Sequence, residues 1–237
     1  MILQLDVGNT RAKWRLIQSG SILARGATAL SDGPSFEAIT PSQRSSIAEV
    51  RVASVAGEEN LSSLLVRLAT EFGCVPRAYK ALAEQAGLRL AYREAERMGV
   101  DRWLAMLAAW KKYHAAFVVV DAGSALTVDF VDGQGVHGGG YILPGWRMLE
   151  KALLQGTAQV RFDVEEGEPV EPGNSTATCV SHGRNWLWSA FIERLEKDCR
   201  QQGIGQAIVT GGDAGRLLAL GFQAEHWPDI VLDGMND

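Results

Sequence analysis

The amino-acid sequence predicts a mixed α/β protein made of two related halves, and three observations support this. Short apolar strands alternate with helical patterns along most of the chain. An apolar strand followed by Asp-x-Gly and a small polar residue occurs at residues 2–10 and again at residues 118–124. A chain of 237 residues also suits two compact domains. We therefore expect one domain over residues 1–115 and a second over residues 116–237.

The first half begins with a predicted hairpin. Residues 2–5 form an apolar strand, residues 6–10 form a turn, and residues 12–17 form a returning strand with period-two alternation. Residues 50–55 read as a further short strand. A helix is predicted next by five apolar residues at helical spacing and a closing glycine, namely Leu61, Leu64, Leu65, Leu68, Phe72 and Gly73.

The alternation of strands and helices continues through the end of the first half and into the second. A helix over residues 101–114 is predicted by the spacing of Trp103, Met106, Leu107 and Trp110. Three further elements follow it: a hairpin over residues 117–130, a helix over residues 185–200, and a strand over residues 207–213 that runs into a glycine turn.

The glycine-rich residues 133–138 formally match G-x-G-x-x-G, which in other proteins binds dinucleotides. That function requires the motif to open a helix, whereas here it leads into more glycine and an apolar strand. We interpret it as the tip and return of the second hairpin. The sequence also lacks G-x-x-x-x-G-K-[ST], which excludes a P-loop.

The composition is that of an ordinary globular protein, with 46% hydrophobic and 22% charged residues. A net charge of −5, without a lysine or arginine run, argues against nucleic acid and anionic membranes as partners. Three cysteines without a C-x-x-C pair argue against a disulfide framework and a thiolate zinc site, and favour a reducing cytoplasm. The amino terminus has no basic region before an apolar run, so we expect no signal peptide.

Two Asp-x-Gly turns are the main candidates for a phosphate site. The first combines the Asp6 carboxylate, a close backbone approach at Gly8, the polar residues 9–10 and Lys13, which together suit a phosphate with its magnesium ion. A plain hairpin turn, whose side chains bond their own backbone, explains one such turn equally well. Its repetition at residues 121–124 favours a triphosphate held between the two turns.

Asp101 and Arg102 stand at the start of the predicted helix over residues 101–114. Helix capping alone can explain an aspartate there. It can also serve phosphoryl transfer, because the loose transition state mainly requires a group that orients the acceptor hydroxyl and takes its proton late.

Elsewhere, the four histidines lack metal-ligand spacing, and Trp186, Trp188 and Phe191 are interpreted as core or dimer contacts.

Five motifs occur in order over most of the chain: residues 6–13, Tyr92 with residues 99–102, residues 121–127, residues 138–145, and Thr176 with Gly183. Together they resemble the type III pantothenate kinase family. The resemblance implies a duplicated actin-like (ribonuclease H-like) fold with two related domains and a cleft between them. It implies ATP-dependent phosphorylation of pantothenate to 4'-phosphopantothenate, the first step of coenzyme A biosynthesis, by a cytoplasmic homodimer.

The resemblance also implies a role for each matching residue. ATP would be bound by Asp6, Val7, Gly8, Asn9, Thr10, Arg11, Ala12, Lys13 and Ser124. Pantothenate would be bound by Tyr92, Gly99, Val100, Asp101, Arg102 and Thr176, with Asp101 as the catalytic proton acceptor. Asp6 would hold Mg²⁺ or another divalent cation through the phosphates, and Asp121 would bind K⁺ or NH₄⁺. Thr157 would reach the substrate of the partner subunit.

Two other functions stay open. One is a transcriptional regulator on the same scaffold, like the Bvg accessory factor, although the three acids Asp6, Asp101 and Asp121 argue against a purely regulatory protein. The other is a related kinase of the superfamily with a different acceptor. The segment from Tyr92 to Arg102 is the part of the sequence that would distinguish between acceptors.

Overall fold

A computed structural model describes residues 1–29, 34–156, 162 and 167–236 of the chain. Thr157 therefore lies outside the described residues. The strands are β1 (Ile2–Val7), β2 (Arg11–Gln18), β3 (Ser21–Ala29), β4 (Glu49–Ser54), β5 (Arg77–Ala78), β6 (Glu84–Gln85), β7 (Leu88–Arg89), β8 (Phe117–Ala122), β9 (Ala125–Val131), β10 (His137–Pro144), β11 (Gln206–Thr210) and β12 (Glu225–His226). The α-helices are α1 (Pro41–Ser45), α2 (Glu58–Phe72), α3 (Val100–Tyr113), α4 (Trp146–Gly156), α5 (Thr176–Gln201), α6 (Ala214–Ala219) and α7 (Ile230–Gly234).

Two five-stranded sheets share one topology. The strand order is β3-β2-β1-β4-β5 in the first sheet and β10-β9-β8-β11-β12 in the second. In each sheet the central strand pairs antiparallel with the strand that follows it in the chain. On its other side it pairs parallel with the fourth strand of the set. This repetition confirms the prediction of two related α/β halves.

The chain forms two compact units, and each is built from more than one stretch of the sequence. The first unit contains Met1–Ala86, Tyr92–Lys112 and Asp229–Asp237. The second contains Gly87–Ala91 and Tyr113–Pro228. The main division follows Lys112, but each unit also includes residues from a distant part of the chain. Two domains divided at residue 115 stay a prediction.

Each unit has its own apolar core on one face of its sheet. In the first unit, Leu3 and Leu5 of β1 are fully buried together with Leu68 of α2. Gly73 follows α2, as the leucine spacing predicted. In the second unit, Val118 and Val120 of β8 and Val128 of β9 share a core with Trp188 and Ile192 of α5. Burial of such side chains is the main source of stability in both units.

The opposite face of the first sheet carries a row of arginines. Directly opposed positions on the five strands are occupied by Arg25, Arg15, Gln4, Arg51 and Arg77. Opposed residues on neighbouring strands point to the same face, so the four guanidinium groups share it. Arg15 and Arg51 are only 4% and 5% exposed. Because buried charges are costly without partners, this face requires acceptors from elsewhere.

Acidic side chains near the C-terminus pair with two of these arginines. Asp233 Oδ1 lies 2.7 Å from Arg15 Nη2, and Asp229 Oδ2 lies 3.5 Å from Arg25 Nη1. Gln4, between the arginines, donates a hydrogen bond to Asn236 Oδ1 at 2.9 Å. The segment that includes α7 therefore lies across the arginine row.

A main-chain oxygen of the same segment accepts hydrogen bonds from side chains on the other side of the arginine row. The carbonyl oxygen of Met235 accepts hydrogen bonds from Arg51 Nη1 at 2.5 Å and from the Tyr79 hydroxyl at 3.0 Å. Glu49 supplies a second partner for Arg51, with 2.7 Å between Oε1 and Nε. The side chain of Met235 is fully buried. The end of the chain thus completes the first unit.

The glycine-rich residues 133–138 form a hairpin tip, as predicted. Asp132 Oδ1 accepts hydrogen bonds from the N–H groups of Gln134 at 2.8 Å and Val136 at 2.9 Å. A bulge between His137 and Gly139 then starts β10. Asp132 therefore organises the turn in the way that an Asx turn does.

The predicted start of the long helix at residue 185 is wrong, because α5 spans Thr176–Gln201. A reciprocal cap starts it: the N–H of Thr178 donates to Ser175 Oγ at 3.1 Å, and the N–H of Ser175 donates to Thr178 Oγ1 at 2.9 Å. Threonine, valine and glycine between residues 176 and 183 have low helix propensity, and the cap offsets this.

The three cysteines, Cys74, Cys179 and Cys199, are free thiols, in agreement with the absence of a disulfide framework. Cys199 is 8% exposed. Burial raises the pKa of its thiol to about 11, and the neighbouring Asp198 carboxylate acts in the same direction.

Among the described helices, none is both long and apolar enough to cross a bilayer.

Candidate active site

The first Asp-x-Gly turn joins β1 to β2. Asp6 is the penultimate residue of β1 and stands opposite Lys13 of β2. The N–H of Gly8 donates to the carbonyl oxygen of Arg11 at 3.0 Å and closes the turn. Residues 9–11 are exposed. A carboxylate, polar side chains, backbone N–H groups and a lysine thus lie on one hairpin, as binding of a phosphate with its cation requires.

Two members of the predicted ATP-binding run have buried side chains. Val7 and Ala12 stand opposite each other in the hairpin and are 1% and 0% exposed. Their side chains serve the core, so any contact with a ligand would come from their backbone groups.

The second turn repeats the first in the second unit. Asp121 is the penultimate residue of β8 and stands opposite Thr127 of β9. The N–H of Gly123 donates to the carbonyl oxygen of Ala125 at 3.0 Å. Asp121 is half-buried, as Asp6 is, and Ser124 is exposed at the tip. The two carboxylates therefore have equivalent positions in the two sheets.

Two glycines from later in the chain approach this second turn. The N–H of Gly145 donates to the carbonyl oxygen of Ser124 at 3.2 Å. A Cβ at position 145 would lie 2.4 Å from that oxygen. Gly211 follows β11 with a φ of +94°, and a Cβ there would lie 2.4 Å from the Ala122 carbonyl oxygen and 2.5 Å from Asp121 Oδ1. The Asp121 carboxylate thus lies in a close-packed loop cluster with main-chain oxygens near it.

The donor set around Asp121 fits a hard cation. Hard cations take carboxylate and carbonyl oxygens, and this cluster provides both. In the described part of the chain, no group of three or more His, Cys, Asp or Glu side chains is placed to hold a metal ion. A cation here would be held by the Asp121 carboxylate together with nearby main-chain oxygens.

Replacing Gly211 by alanine should destabilise the second unit by about 2–5 kcal/mol. A positive φ costs a residue with a Cβ about 1–3 kcal/mol, and the close contacts with Ala122 and Asp121 add overpacking. Urea or thermal unfolding measures the loss. Gly212→Ala is the matched control, because a Cβ at the neighbouring glycine meets no atom within 4 Å. Equal losses in the two variants would contradict this account of Gly211.

The predicted substrate residues of the first unit gather at the start of α3. Val100 is the first residue of the helix and is buried, with Asp101 in the first turn. Asp101 Oδ1 accepts a hydrogen bond from the N–H of Arg102 at 2.8 Å, so the carboxylate lies at the positive end of the helix dipole. A Cβ at Gly99 would lie 2.5 Å from Asp101 Oδ1. A side chain at position 99 would therefore displace this carboxylate.

Tyr92 and Arg102, which are ten positions apart in the sequence, are in contact. Arg102 is 7% exposed, and its Nη1 donates to the Tyr92 hydroxyl at 3.1 Å. The predicted acid, the arginine and the tyrosine thus form one group. Thr176, by contrast, belongs to the second unit, where it is exposed as the first residue of α5.

A pocket beside the second turn is lined in part by stacked tryptophans. The rings of Trp146 and Trp188 are 6.0 Å apart and nearly parallel, at 8°. The guanidinium carbon of Arg184 lies 4.3 Å from the Trp146 ring centre, and Arg184 pairs with Glu150. Burial lowers the pKa of Arg184 to about 10, and the Arg216 charge adds to this effect. Arg184 therefore stays charged at neutral pH.

Gly211 lies beside the predicted site residue Asp121, and sequence reasoning did not assign it. The strand before it was predicted, but a role beside Asp121 requires knowing that β11 pairs parallel with β8. That pairing brings Thr210 opposite Asp121 and the following glycine next to its carboxylate. The available signal in the sequence was the predicted strand over residues 207–213, which runs into glycine. Parallel strands end at the same edge of a sheet, so this glycine could have been placed near the turn that contains Asp121.

Comparison with known proteins gives the family of the chain. Residues 2–198 match the model of the family described as type III pantothenate kinase. The chain belongs to this family. A type III pantothenate kinase from Marinobacter nauticus is 42% identical over 236 residues, which are 99% of this chain and 96% of the relative. The matched span therefore includes parts of both units of this type III pantothenate kinase family member.

Two solved structures show the same fold. One is described as a Baf family transcriptional activator from Campylobacter jejuni, with a TM-score of 0.62 and 20% identity over 98% of this chain and 94% of that chain. The other is described as a 2-dehydro-3-deoxygalactonokinase from Sinorhizobium meliloti, with a TM-score of 0.57 and 14% identity over 99% and 96%. With the repeated sheets, these likenesses establish the duplicated actin-like, ribonuclease H-like fold for this member of the type III pantothenate kinase family.

Proposed function

We propose that this chain transfers the γ-phosphate of ATP to the primary hydroxyl of pantothenate and forms 4'-phosphopantothenate, the first step of coenzyme A biosynthesis. The observation that carries the proposal is membership of the type III pantothenate kinase family over nearly the full chain. The contact of Arg102 with Tyr92, beside Asp101, supports an acceptor site at the start of α3.

In this proposal Asp101 orients the pantothenate hydroxyl and accepts its proton late in the reaction. Phosphoryl transfer passes through a loose transition state, so positioning and charge stabilisation matter more than a strong base. Tyr92, Gly99, Val100, Arg102 and Thr176 would bind pantothenate. The buried Arg102, already held by Tyr92, would supply a fixed positive charge for this anionic substrate.

ATP would be bound by residues 6–13 and Ser124. The divalent cation, Mg²⁺ or another, neutralises phosphate charge when bound, and Asp6 would hold it through the phosphates. Asp121 would bind K⁺ or NH₄⁺ together with nearby main-chain oxygens. The equivalent positions of Asp6 and Asp121 in two sheets of one topology support a shared role in binding the phosphates.

The protein would act in the cytoplasm as a homodimer. Support comes from apolar side chains on the surface of the second unit: Tyr141 and Ile142 of β10 are 55% and 64% exposed, and Trp186 of α5 is 62% exposed. Exposed apolar groups that form a contiguous patch mark surfaces that bind other proteins, and a second copy is the commonest partner. No nucleic acid or membrane is required by the proposal.

The test measures ATP consumption by the purified protein with Mg²⁺ and K⁺, with and without pantothenate. We expect turnover only when pantothenate is present, and a lower rate when Na⁺ replaces K⁺. A panel of sugars and other vitamins serves as the control for the acceptor. Turnover with another acceptor alone would favour a different superfamily kinase, and no turnover with any acceptor would favour the regulatory alternative.

A further inference from the structure

The segment that leads into Tyr92 is anchored on the glycine-rich hairpin of the second unit. Leu88 is fully buried. The N–H of Arg89 donates to the carbonyl oxygen of Gly135 at 2.8 Å. Two residues later, the N–H of Ala91 donates to His137 Nδ1 at 3.5 Å, a long hydrogen bond. The hairpin tip and the start of β10 thus provide consecutive attachment points for residues 88–91.

His137 is itself held by a buried carboxylate. His137 and Asp129 are 1% and 2% exposed, and His137 Nε2 lies 3.1 Å from Asp129 Oδ1. A backbone N–H can only donate, so His137 Nδ1 accepts from Ala91 and the ring proton lies on Nε2. Asp129 accepts a hydrogen bond from Nε2–H of His137. This bond fixes the orientation of the ring, as carboxylates do for histidines in metal and catalytic sites.

We propose that His137 is a positioning residue for pantothenate, an inference that rests on the proposed function. Ala91 is covalently bonded to Tyr92, and the Tyr92 hydroxyl accepts the hydrogen bond from Arg102, the residue after Asp101. Fixing the Ala91 N–H limits where the backbone of Tyr92 can go. His137 touches no reacting atom in this proposal and acts through Ala91 and Tyr92 alone.

Two substitutions at position 137 separate the two hydrogen bonds of the ring. The amide of His137→Asn places an acceptor near the position of Nδ1, so it can retain the bond from Ala91. The amide of His137→Gln reaches the position of Nε2, so it can retain the bond to Asp129 and loses the acceptor for Ala91. Steady-state kinetics should show KM for pantothenate raised about three- to tenfold in the Gln variant and little changed in the Asn variant.

KM for ATP and kcat should stay within about twofold of the unsubstituted protein in both variants, since the ring contacts neither reactant. Equal KM values for pantothenate in the two variants, or a fall in kcat that follows the loss of thermal stability, would overturn the positioning role. Ala91→Pro removes the same donor and should raise KM in the same way, which keeps the test available if His137→Gln does not fold.

The unsubstituted protein is the reference for the function itself. Absence of pantothenate-dependent turnover in that reference sample would refute the proposed function. Turnover in the reference with unchanged KM in His137→Gln and Ala91→Pro would refute only the role of His137.

Discussion

Asp101→Asn is expected to lower kcat for pantothenate phosphorylation by about 10²- to 10⁴-fold while the protein stays folded. In the unsubstituted protein the Arg102 N–H donates to Asp101 Oδ1 at 2.8 Å. Asparagine retains an oxygen that can accept this hydrogen bond, so the start of α3 should persist. The amide cannot take the proton of the acceptor hydroxyl. A coupled assay of ADP formation measures kcat, and a thermal melt of the same sample reports folding.

Glu96→Gln is the matched control for this variant. Glu96 is an exposed carboxylate in the short 3-10 turn Ala95–Arg97, which lies in the same segment but outside the start of α3. Its substitution should leave kcat within about twofold, because a screened surface charge contributes little. Full activity in Asp101→Asn, or equal loss in both variants, would remove Asp101 from its proposed role.

Removing Asp229–Asp237 is expected to prevent the first unit from folding. The deleted segment buries Ile230, Val231, Leu232 and Met235, each 6% exposed or less. At about 1.5–3 kcal/mol for each buried apolar side chain, the loss is about 6–12 kcal/mol, comparable to the total stability of a domain. The deletion also leaves the buried Arg15 without Asp233. Soluble yield and the cooperativity of thermal unfolding measure the effect.

Lys111→Ala is the control for the truncation. Lys111 Nζ donates to the carbonyl oxygen of Asn236 at 2.5 Å on the protein surface. Losing this single exposed contact should cost less than about 1 kcal/mol. If the truncated chain unfolds with the same midpoint as the full chain, the C-terminal segment does not contribute the stability that its burial implies.

Local patterns were sufficient to predict the two turns and the acid at the start of α3. A hairpin depends on a few consecutive residues, so the Asp-x-Gly turns and their flanking strands could be recognised from the sequence. Asp101 was expected at a helix start, and α3 begins at Val100. The glycine-rich residues 133–138 were recognised as a hairpin tip because the motif did not open a helix.

Contacts between distant residues could not be predicted in the same way. Arg15 and Asp233 form an ion pair although nearly the whole chain separates them. In the sequence Arg15 looked like one polar position of an alternating strand. Its burial depends on α7 covering that face of the sheet, which no local pattern encodes. Gly211 is similar, because its contact with Asp121 follows from strand pairing.

The C-terminal segment across the arginine row also constrains the order of events during protein synthesis. A nascent chain that already contains β1–β5 and α3 still lacks Asp233 and Met235, so its arginine face has no cover. Domains usually fold from the N-terminus onward as the ribosome makes them. Here the strands of the second sheet are complete by His226, so that sheet can form first. The N-terminal half must wait until residues 229–236 have been made before it reaches its native burial.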